Sequence, residues 1–184
     1  MLPRVAAADV LITPFVGKSF AAQTTLPVVE TGVESRKWVI GASATWLSSG
    51  VLGVEGDFSY LPGFFDAGQF LNTPGSNVTS FTGSLVLAAP LGLTRESLRP
   101  YLTLGMGVLH AGVDDLVGFS PVDRNLAAVS VGGGAIGFLT DRTGLRFDIR
   151  RVRSVRNDEA SAVPGGDTVR LGFWRATVGV TLRY

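Results

Sequence analysis

The last eleven residues of the chain alternate strictly between two kinds of side chain. Apolar residues stand at every even position from Trp174 to Tyr184, and small or polar residues stand at every odd position from Arg175 to Arg183. A period of two is typical of a β-strand that faces two different environments. Eleven residues at about 3.3 Å each, tilted by about 45°, span roughly the 25 Å apolar band of an outer membrane. The segment therefore predicts a strand that crosses a membrane.

The composition agrees with strands that face lipid. Charged residues make up 17% of the chain, below the roughly 25–35% that is usual for a soluble surface. The mean hydropathy is +0.33, yet the sequence contains no apolar run of the roughly 18 residues that a transmembrane helix needs. Apolar residues are instead spread by alternation, as in the strands of membrane barrels. The length of 184 residues predicts one domain, residues 1–184.

The supply of reactive side chains is small. The chain contains no cysteine and one histidine, which excludes disulfides, thiolate metal sites and a cysteine nucleophile. We therefore expect no metal, no cofactor and no catalytic residue. The net charge of +1 gives no indication of a nucleic-acid partner. The first residues lack the apolar stretch of a signal peptide, so we expect a mature or trimmed form.

Eight segments have the pattern of a strand. They are Val10–Phe20, Lys37–Ser48, Val51–Tyr60, Val78–Ala89, Arg99–His110, Asn125–Leu139, Gly144–Arg153 and Trp174–Tyr184. In the sixth segment, Gly132-Gly133-Gly134 makes the phase ambiguous, and we expect a β-bulge there.

Long and short connections alternate between these segments. The long ones are Lys18–Arg36, Leu61–Asn77, Ala111–Arg124 and Ser154–Thr168, and the short ones are Ser49-Gly50, Pro90–Ser97 and Thr140–Thr143. Strict alternation places all long loops at one end of the molecule. The sequence therefore predicts an all-β fold, an eight-stranded antiparallel up-and-down transmembrane β-barrel with four long loops at one end and short turns at the other.

Alternation alone does not say which face points outward. In a soluble lipocalin-type carrier the apolar face would be inside, with Phe81, Leu85, Leu87 and Val178 lining the cavity. Two features favour a membrane barrel. The polar face consists mostly of Gly, Ser and Thr, as a narrow interior requires. The apolar face carries aromatic residues at the strand ends, as in the girdles of membrane barrels: Trp38, Trp46, Tyr60, Trp174 and Tyr184.

Charged residues also occur on the polar face, near the middle of strands. They are Glu55, Asp57, Arg146, Asp148 and Arg150, and Arg175 on the last strand can join them. The third and seventh strands are opposite each other in an eight-stranded barrel, so we expect opposite charges to pair across a side-chain-filled interior as a plug. Two alternatives remain: a gate that opens when partners are exchanged, and acid/base catalysis by Glu55 and Asp57.

Three strands resemble the small bacterial outer-membrane β-barrel family of OmpA/OmpX-like proteins: Gly53–Tyr60, Arg99–Gly107 and Gly144–Arg150. The C-terminus with its final aromatic residue does so as well, and the resemblance covers essentially the whole chain. It implies a location in the bacterial outer membrane and insertion by the outer-membrane assembly machinery, which recognises the terminal strand. That signal corresponds to Val178, Val180, Leu182 and Tyr184. The usual last residue of the family is Phe, from which Tyr184 departs mildly.

We therefore expect a monomeric, non-catalytic barrel with an envelope-structural role or a surface-interaction role through its long loops. Its expected partners are outer-membrane lipid, lipopolysaccharide and the assembly machinery. The alternative is a lipid A-modifying enzyme that uses His110 with Asp114 or Asp115. The His-x-Ser pattern of a deacylase is absent, because His110-Ala111-Gly112 stands in its place.

Overall fold

The computed structural model describes residues 9–24, 37–48, 51–62, 76–90, 98–113, 122–155 and 171–184. Its eight strands are β1 (Asp9–Thr24), β2 (Trp38–Leu47), β3 (Leu52–Pro62), β4 (Ser76–Ala88), β5 (Leu98–Val113), β6 (Val122–Phe138), β7 (Thr143–Ser154) and β8 (Leu171–Arg183). All eight predicted strands are confirmed, with ends that shift by one to four residues. Across these ranges no helix has the length and apolar character needed to cross a membrane.

The strands form a closed barrel in which each pairs antiparallel with its neighbours in sequence. The barrel closes between β1 and β8, where the hydroxyls of Thr13 and Thr181 lie 2.9 Å apart. We call the two ends of the barrel the Trp38 end and the Trp46 end, after residues at opposite ends of β2. The predicted long loops lie mostly outside the described residues, so their arrangement stays a prediction.

The β-bulge expected in β6 is wrong. β6 pairs in unbroken register with β5 and with β7 throughout Gly132–Gly134. Glycine has no side chain to mark a face, which is why the sequence pattern was ambiguous there. The register shifts instead between Phe20 and Gln23 in β1, where Ala21 has a φ of 50°.

One short turn is described completely and confirms the tight turn predicted at Thr140–Thr143. The Thr140 hydroxyl accepts hydrogen bonds from the backbone N–H groups of Arg142 and Thr143, at 3.3 and 3.0 Å. Backbone N–H groups of Leu139 and Thr140 donate to the Thr143 carbonyl. The other predicted short turns, Ser49-Gly50 and most of Pro90–Ser97, lie outside the described residues.

The apolar face of the strands points outward. Phe81, Leu85, Leu87 and Val178 are 56%, 61%, 50% and 41% exposed on the outer wall. A soluble carrier would need these four side chains inside, so the lipocalin-type alternative is wrong. An outer wall of this composition matches lipid and not water, because a continuous apolar surface of this size is unfavourable in water.

The inward side chains form three layers along the barrel. An apolar cluster at the Trp38 end contains Val39, Leu61, Val78, Leu109, Ala128, Val152, Leu171 and Phe173. A second apolar cluster at the Trp46 end contains Leu11, Leu47, Val86, Ala88, Tyr101 and Ile136. Between them the buried side chains are mostly polar or charged. The sequence pattern predicted the polar middle but not the two apolar layers.

Candidate functional site

Glu55 lies at the centre of the middle layer and bridges two arginines of β7. Its Oε2 is 2.6 Å from Nη1 of Arg146, and its Oε1 is 2.8 Å from Nη2 of Arg150. The Thr45 hydroxyl donates a hydrogen bond of 2.7 Å to Oε2. The Glu55 side chain has no solvent exposure. Both carboxylate oxygens are therefore satisfied by donors from β2 and β7, on either side of the barrel interior.

Asp148 is held by the same two arginines from its own strand. Residues at i and i+2 share a face of a strand, so Arg146, Asp148 and Arg150 all point inward. Arg150 donates to both Asp148 oxygens, Nε to Oδ1 at 3.1 Å and Nη2 to Oδ2 at 2.8 Å. Nη2 of Arg146 lies 3.5 Å from Oδ2. This two-point contact fixes the Arg150 guanidinium in one orientation.

Arg175 of β8 and Asp57 of β3 form the other branch of the layer. Nη2 of Arg175 lies 2.7 Å from Oδ2 of Asp57, and Nη1 of Arg150 is 3.9 Å from the same oxygen. The Arg175 guanidinium also lies 5.2 Å from the ring centre of Phe15. Oδ1 of Asp57 and the Nε and Nη1 of Arg175 have no hydrogen-bond partner among the described residues. This branch is less completely satisfied than the Glu55 branch.

The structure thus brings together all six of the charged residues that the sequence assigned to the interior. Three carboxylates face three guanidinium groups, so the formal charges of the layer cancel. Their side chains are at most 6% exposed. Removing one partner of such a buried pair leaves an uncompensated charge in a medium of low dielectric constant, which is strongly unfavourable. The geometry therefore ties three strands to one another through the barrel interior.

We call the six charged residues of the middle layer the charged layer. Little free space remains beside it. A cavity of about 10 Å³ is lined by Thr13, Ser43, Asp57, Thr177 and neighbouring residues of the layer. That volume is close to the minimum of roughly 10–15 Å³ that a single water molecule requires. This cavity therefore has room for no more than about one water molecule.

Tyr101 is one of the interior residues that the sequence pattern failed to single out. Its hydroxyl donates to Oδ2 of Asp148 at 2.7 Å and accepts from Nε of Arg146 at 2.7 Å. Gly134 lies directly opposite in β6, and a Cβ there would come within 2.7 Å of the Tyr101 hydroxyl. The signal was present: Tyr101 is a large aromatic residue on the inward face of β5, next to the small residues Thr103, Gly105 and Gly107.

Arg99, which the sequence pattern also failed to single out, links two connections at the Trp46 end through hydrogen bonds. It is 1% exposed, and its Nε and Nη2 donate to the carbonyls of Ala89 and Ser48 at 3.0 and 3.1 Å. These carbonyls belong to the β4–β5 and β2–β3 connections. At the same end, Arg183 and Asp9 form an ion pair of 2.9 Å between β8 and β1. Arg183 is partly exposed, unlike the arginines of the middle layer.

The predicted girdle residues all lie on the outward face. Trp38 and Trp46 are each 58% exposed, and Tyr184 is 75% exposed. Tyr60 and Trp174 are partly covered by neighbouring side chains. The Trp174 ring stacks on Phe20 with ring centres 6.4 Å apart.

The residues predicted to form the assembly signal occupy the outward face of β8 and its end. Val178, Val180 and Leu182 are exposed on the outer wall. Tyr184 pairs with the first strand, because its backbone N–H donates to the Val10 carbonyl at 3.0 Å. An apolar face next to the closing seam is therefore formed by the last strand.

His110 lies on the outward face of β5, away from the charged layer. Its Nδ1 is 2.9 Å from Oδ1 of Asn125 on β6. Asp114 and Asp115, its predicted catalytic partners, lie outside the described residues. The described residues contain no group of three or more His, Asp and Glu side chains placed to hold a metal ion.

No protein-family model and no curated protein sequence matches the chain. Among solved structures, it is similar to Neisserial surface protein A, with 17% identity and a TM-score of 0.65 over 98% of this chain and 100% of that one. The outer membrane protein OprG of Pseudomonas aeruginosa matches at 15% identity and 0.59 over 97% of each chain. Ail, the attachment invasion locus protein of Yersinia pestis, solved with the heparin analogue sucrose octasulfate, matches at 13% identity and 0.59 over 98% and 100%.

These neighbours are bacterial outer-membrane β-barrels, and none of the three is described as an enzyme. Their sequence identities are low, so the likeness concerns the fold. The predicted eight-stranded antiparallel barrel is thereby confirmed: the chain has the fold of the small eight-stranded outer-membrane β-barrels.

Proposed function

We propose that this chain is a non-catalytic barrel of the bacterial outer membrane whose interior is plugged by the charged layer. The observation that carries the proposal is the set of six buried, mutually paired charges between two apolar layers. An enzyme would need reactive groups open to substrate, whereas these groups are enclosed and neutralise one another. The barrel then serves the envelope as a rigid, closed element that carries its loops at the cell surface.

A surface role is supported by the position that we expect for the predicted long connections. Because successive strands are antiparallel, we expect the four predicted long connections to share the Trp38 end. Exposed connecting segments are where binding residues of rigid scaffolds concentrate. The structural neighbours include a surface protein and a protein solved with a sulfated sugar. We place the contacts with outside partners in these loops.

The plug is tested by recording ion conductance across a planar lipid bilayer. The wild-type barrel should show no steady conductance. The double variant Glu55→Ala/Arg150→Ala removes one acid and one base, so the layer stays formally neutral while space opens in the interior. We expect this variant to conduct ions in discrete steps, because water can enter the vacated volume.

A matched control removes an ion pair outside the layer. Asp9→Ala/Arg183→Ala also deletes one acid and one base but leaves the middle of the barrel filled, so it should stay as silent as the wild type. Steady conductance through the wild-type barrel, or equal silence of a folded Glu55→Ala/Arg150→Ala variant, would contradict the plug.

The assembly machinery is the second proposed partner. The outward residues Val178, Val180, Leu182 and Tyr184 stand on the last strand, next to the closing seam. If they act as the signal, Tyr184→Ser should reduce the amount of barrel inserted in cells. The same variant should refold in detergent as well as the wild type, because Tyr184 contributes little buried area. Equal losses in both assays would point to stability instead.

A further inference from the structure

The outward strand side chains that the structure describes include few charges, and these are all basic. Among the described side chains of the strands, the outward charged residues are Lys18, Arg151 and Arg153. All three are basic, and no outward strand carboxylate accompanies them within that set. We call these three residues the cationic patch. Isolated basic groups on an apolar wall are unfavourable unless they reach water or an anion.

The patch lies on β1 and β7, the two strands that flank β8. Trp174 of β8 pairs in register with Phe20 of β1 on one side and with Arg151 of β7 on the other. Lys18 pairs with Trp38 across the β1–β2 ladder. Neighbouring strands are about 4.8 Å apart, so the backbones of β1 and β7 lie roughly 10 Å apart on either side of β8.

Aromatic rings lie against two of the three basic groups of the cationic patch. The Lys18 ammonium lies 4.8 Å from the ring centre of Trp38, and the Arg151 guanidinium lies 5.6 Å from that of Trp174. Tryptophan rings of membrane proteins prefer the level of the lipid headgroups. The basic groups are thus held at the depth where lipid phosphates lie. Within the described residues, Lys18 and Arg151 have ring faces as partners, and none of the three basic groups is paired with a carboxylate.

Below the patch the wall is apolar. Towards the middle of the membrane, β1, β7 and β8 carry the outward residues Val16, Ile149 and Ala176. A shallow cavity of about 690 Å³ on the outer wall reaches Trp174 and is lined by Leu102, Val131, Gly133 and Ile149 among others. A molecule with anionic groups at one end and hydrocarbon chains at the other matches this arrangement.

We propose that the cationic patch binds the phosphate groups of the lipid A part of lipopolysaccharide, with its acyl chains along the apolar wall below. The inference deepens the proposed function, because it requires the Trp38 end to face the outer leaflet. Guanidinium groups bind phosphate through two parallel hydrogen bonds, which favours Arg151 and Arg153 as the main contacts. Lys18 adds a third positive charge on the far side of Trp174.

The test is the affinity of the purified barrel for defined lipids, measured by native mass spectrometry from a zwitterionic detergent. The probes are bis-phosphorylated lipid A, the same lipid without phosphates, and phosphatidylglycerol. The triple variant Lys18→Gln/Arg151→Gln/Arg153→Gln should bind lipid A at least tenfold more weakly, since each basic residue near an anionic lipid contributes roughly fivefold. Arg142→Gln, in the exposed turn at the Trp46 end, should bind like the wild type.

Each result bears on the proposal. Strong binding of lipid A by the wild type, weak binding of the dephosphorylated lipid and loss in the triple variant support it. Equal binding of the dephosphorylated lipid, or a triple variant that binds like the wild type, overturns it. Phosphatidylglycerol bound as tightly as lipid A would overturn the choice of lipid.

Heat-modifiable migration on a gel reports folding separately, so failure of the wild type to fold in detergent would instead refute the membrane barrel. Should the triple variant not fold, Arg153→Gln, on an exposed position, is measured in its place.

Discussion

Glu55 is the residue on which most of the interior contacts converge. It accepts from two arginines and from Thr45 without any exposure to solvent. We expect Glu55→Gln to lower the free energy of unfolding by about 3–5 kcal/mol, because it leaves an excess positive charge in the enclosed layer. Urea unfolding of the refolded barrel in lipid vesicles measures this loss.

The ion pair of Arg183 and Asp9 supplies the comparison. Arg183 is 30% exposed, so water and salt already weaken this pair. Arg183→Gln should cost at most about 1 kcal/mol. Similar losses for the two variants would show that enclosure adds nothing to the pairs of the middle layer.

Two glycines on neighbouring strands, Gly107 and Gly83, are expected to differ in how much an added methyl group destabilises the barrel. Gly107 of β5 points inward, and a Cβ there would collide with the carbonyl of Phe81 on β4. Gly83, one residue along the ladder from the partner of Gly107, has open space on the outer wall. Gly107→Ala should lower the urea midpoint clearly, whereas Gly83→Ala should leave it unchanged. Equal midpoints would mean that β4 and β5 adjust without cost.

At the residue scale the sequence predicted the charged layer well and its surroundings poorly. Period two put Glu55 and Arg146 on inward faces, and the order of strands in an eight-stranded barrel put them opposite each other. The apolar layers were missed because Val39 and Leu61 each follow an outward aromatic residue, so two apolar neighbours interrupt the alternation. The contacts of Tyr101 depend on how far its side chain reaches into the interior, and an alternation of apolar and polar residues does not predict that reach.

At the scale of elements, β8 combines a lipid-facing and an interior-facing surface in one strand. Its midpoint lies close to Val178, which is 41% exposed on the outer wall. We expect Val178→Arg to destabilise the barrel by about 2–4 kcal/mol when it refolds into vesicles, because the charge lies near the middle of the bilayer. The unfolding free energy in urea measures the effect.

Val155 serves as the control for depth. It is also outward and 44% exposed, but it follows the end of β7 at the Trp38 end. Val155→Arg should cost no more than about 1 kcal/mol, because the penalty falls near the membrane surface. A penalty that does not depend on depth would argue that lipid does not surround this wall.

The existence, order and facing of the elements followed from the sequence, whereas their irregularities did not. Alternation defines a face wherever side chains differ, and this held for all eight strands. It fails where side chains are missing, as at Gly132–Gly134, and it does not reveal a register shift such as the one after Phe20. The long connections have no period at all, so the sequence gives their lengths and no more.

For the molecule as a whole, enclosure of the charged layer should make its contribution insensitive to salt. The side chains of the charged layer are at most 6% exposed, so mobile ions cannot reach them. Salt shortens the screening length to about 3 Å at 1 M in water but acts little on buried pairs. We expect the difference in unfolding free energy between wild type and Glu55→Gln to change by less than about 0.5 kcal/mol between 0.1 and 1 M NaCl. A steep decline would mean that solvent penetrates the barrel.

The seam between β1 and β8 has a consequence for the life of the newly made chain. Thr13 and Thr181, which meet across it, are separated by 168 positions. Synthesis delivers β1 before the other seven strands of the barrel, so one edge of β1 stays unpaired until β8 has been made. An unpaired edge readily recruits foreign strands. We therefore expect the newly made chain to need protection of this edge until β8 is available to pair with it.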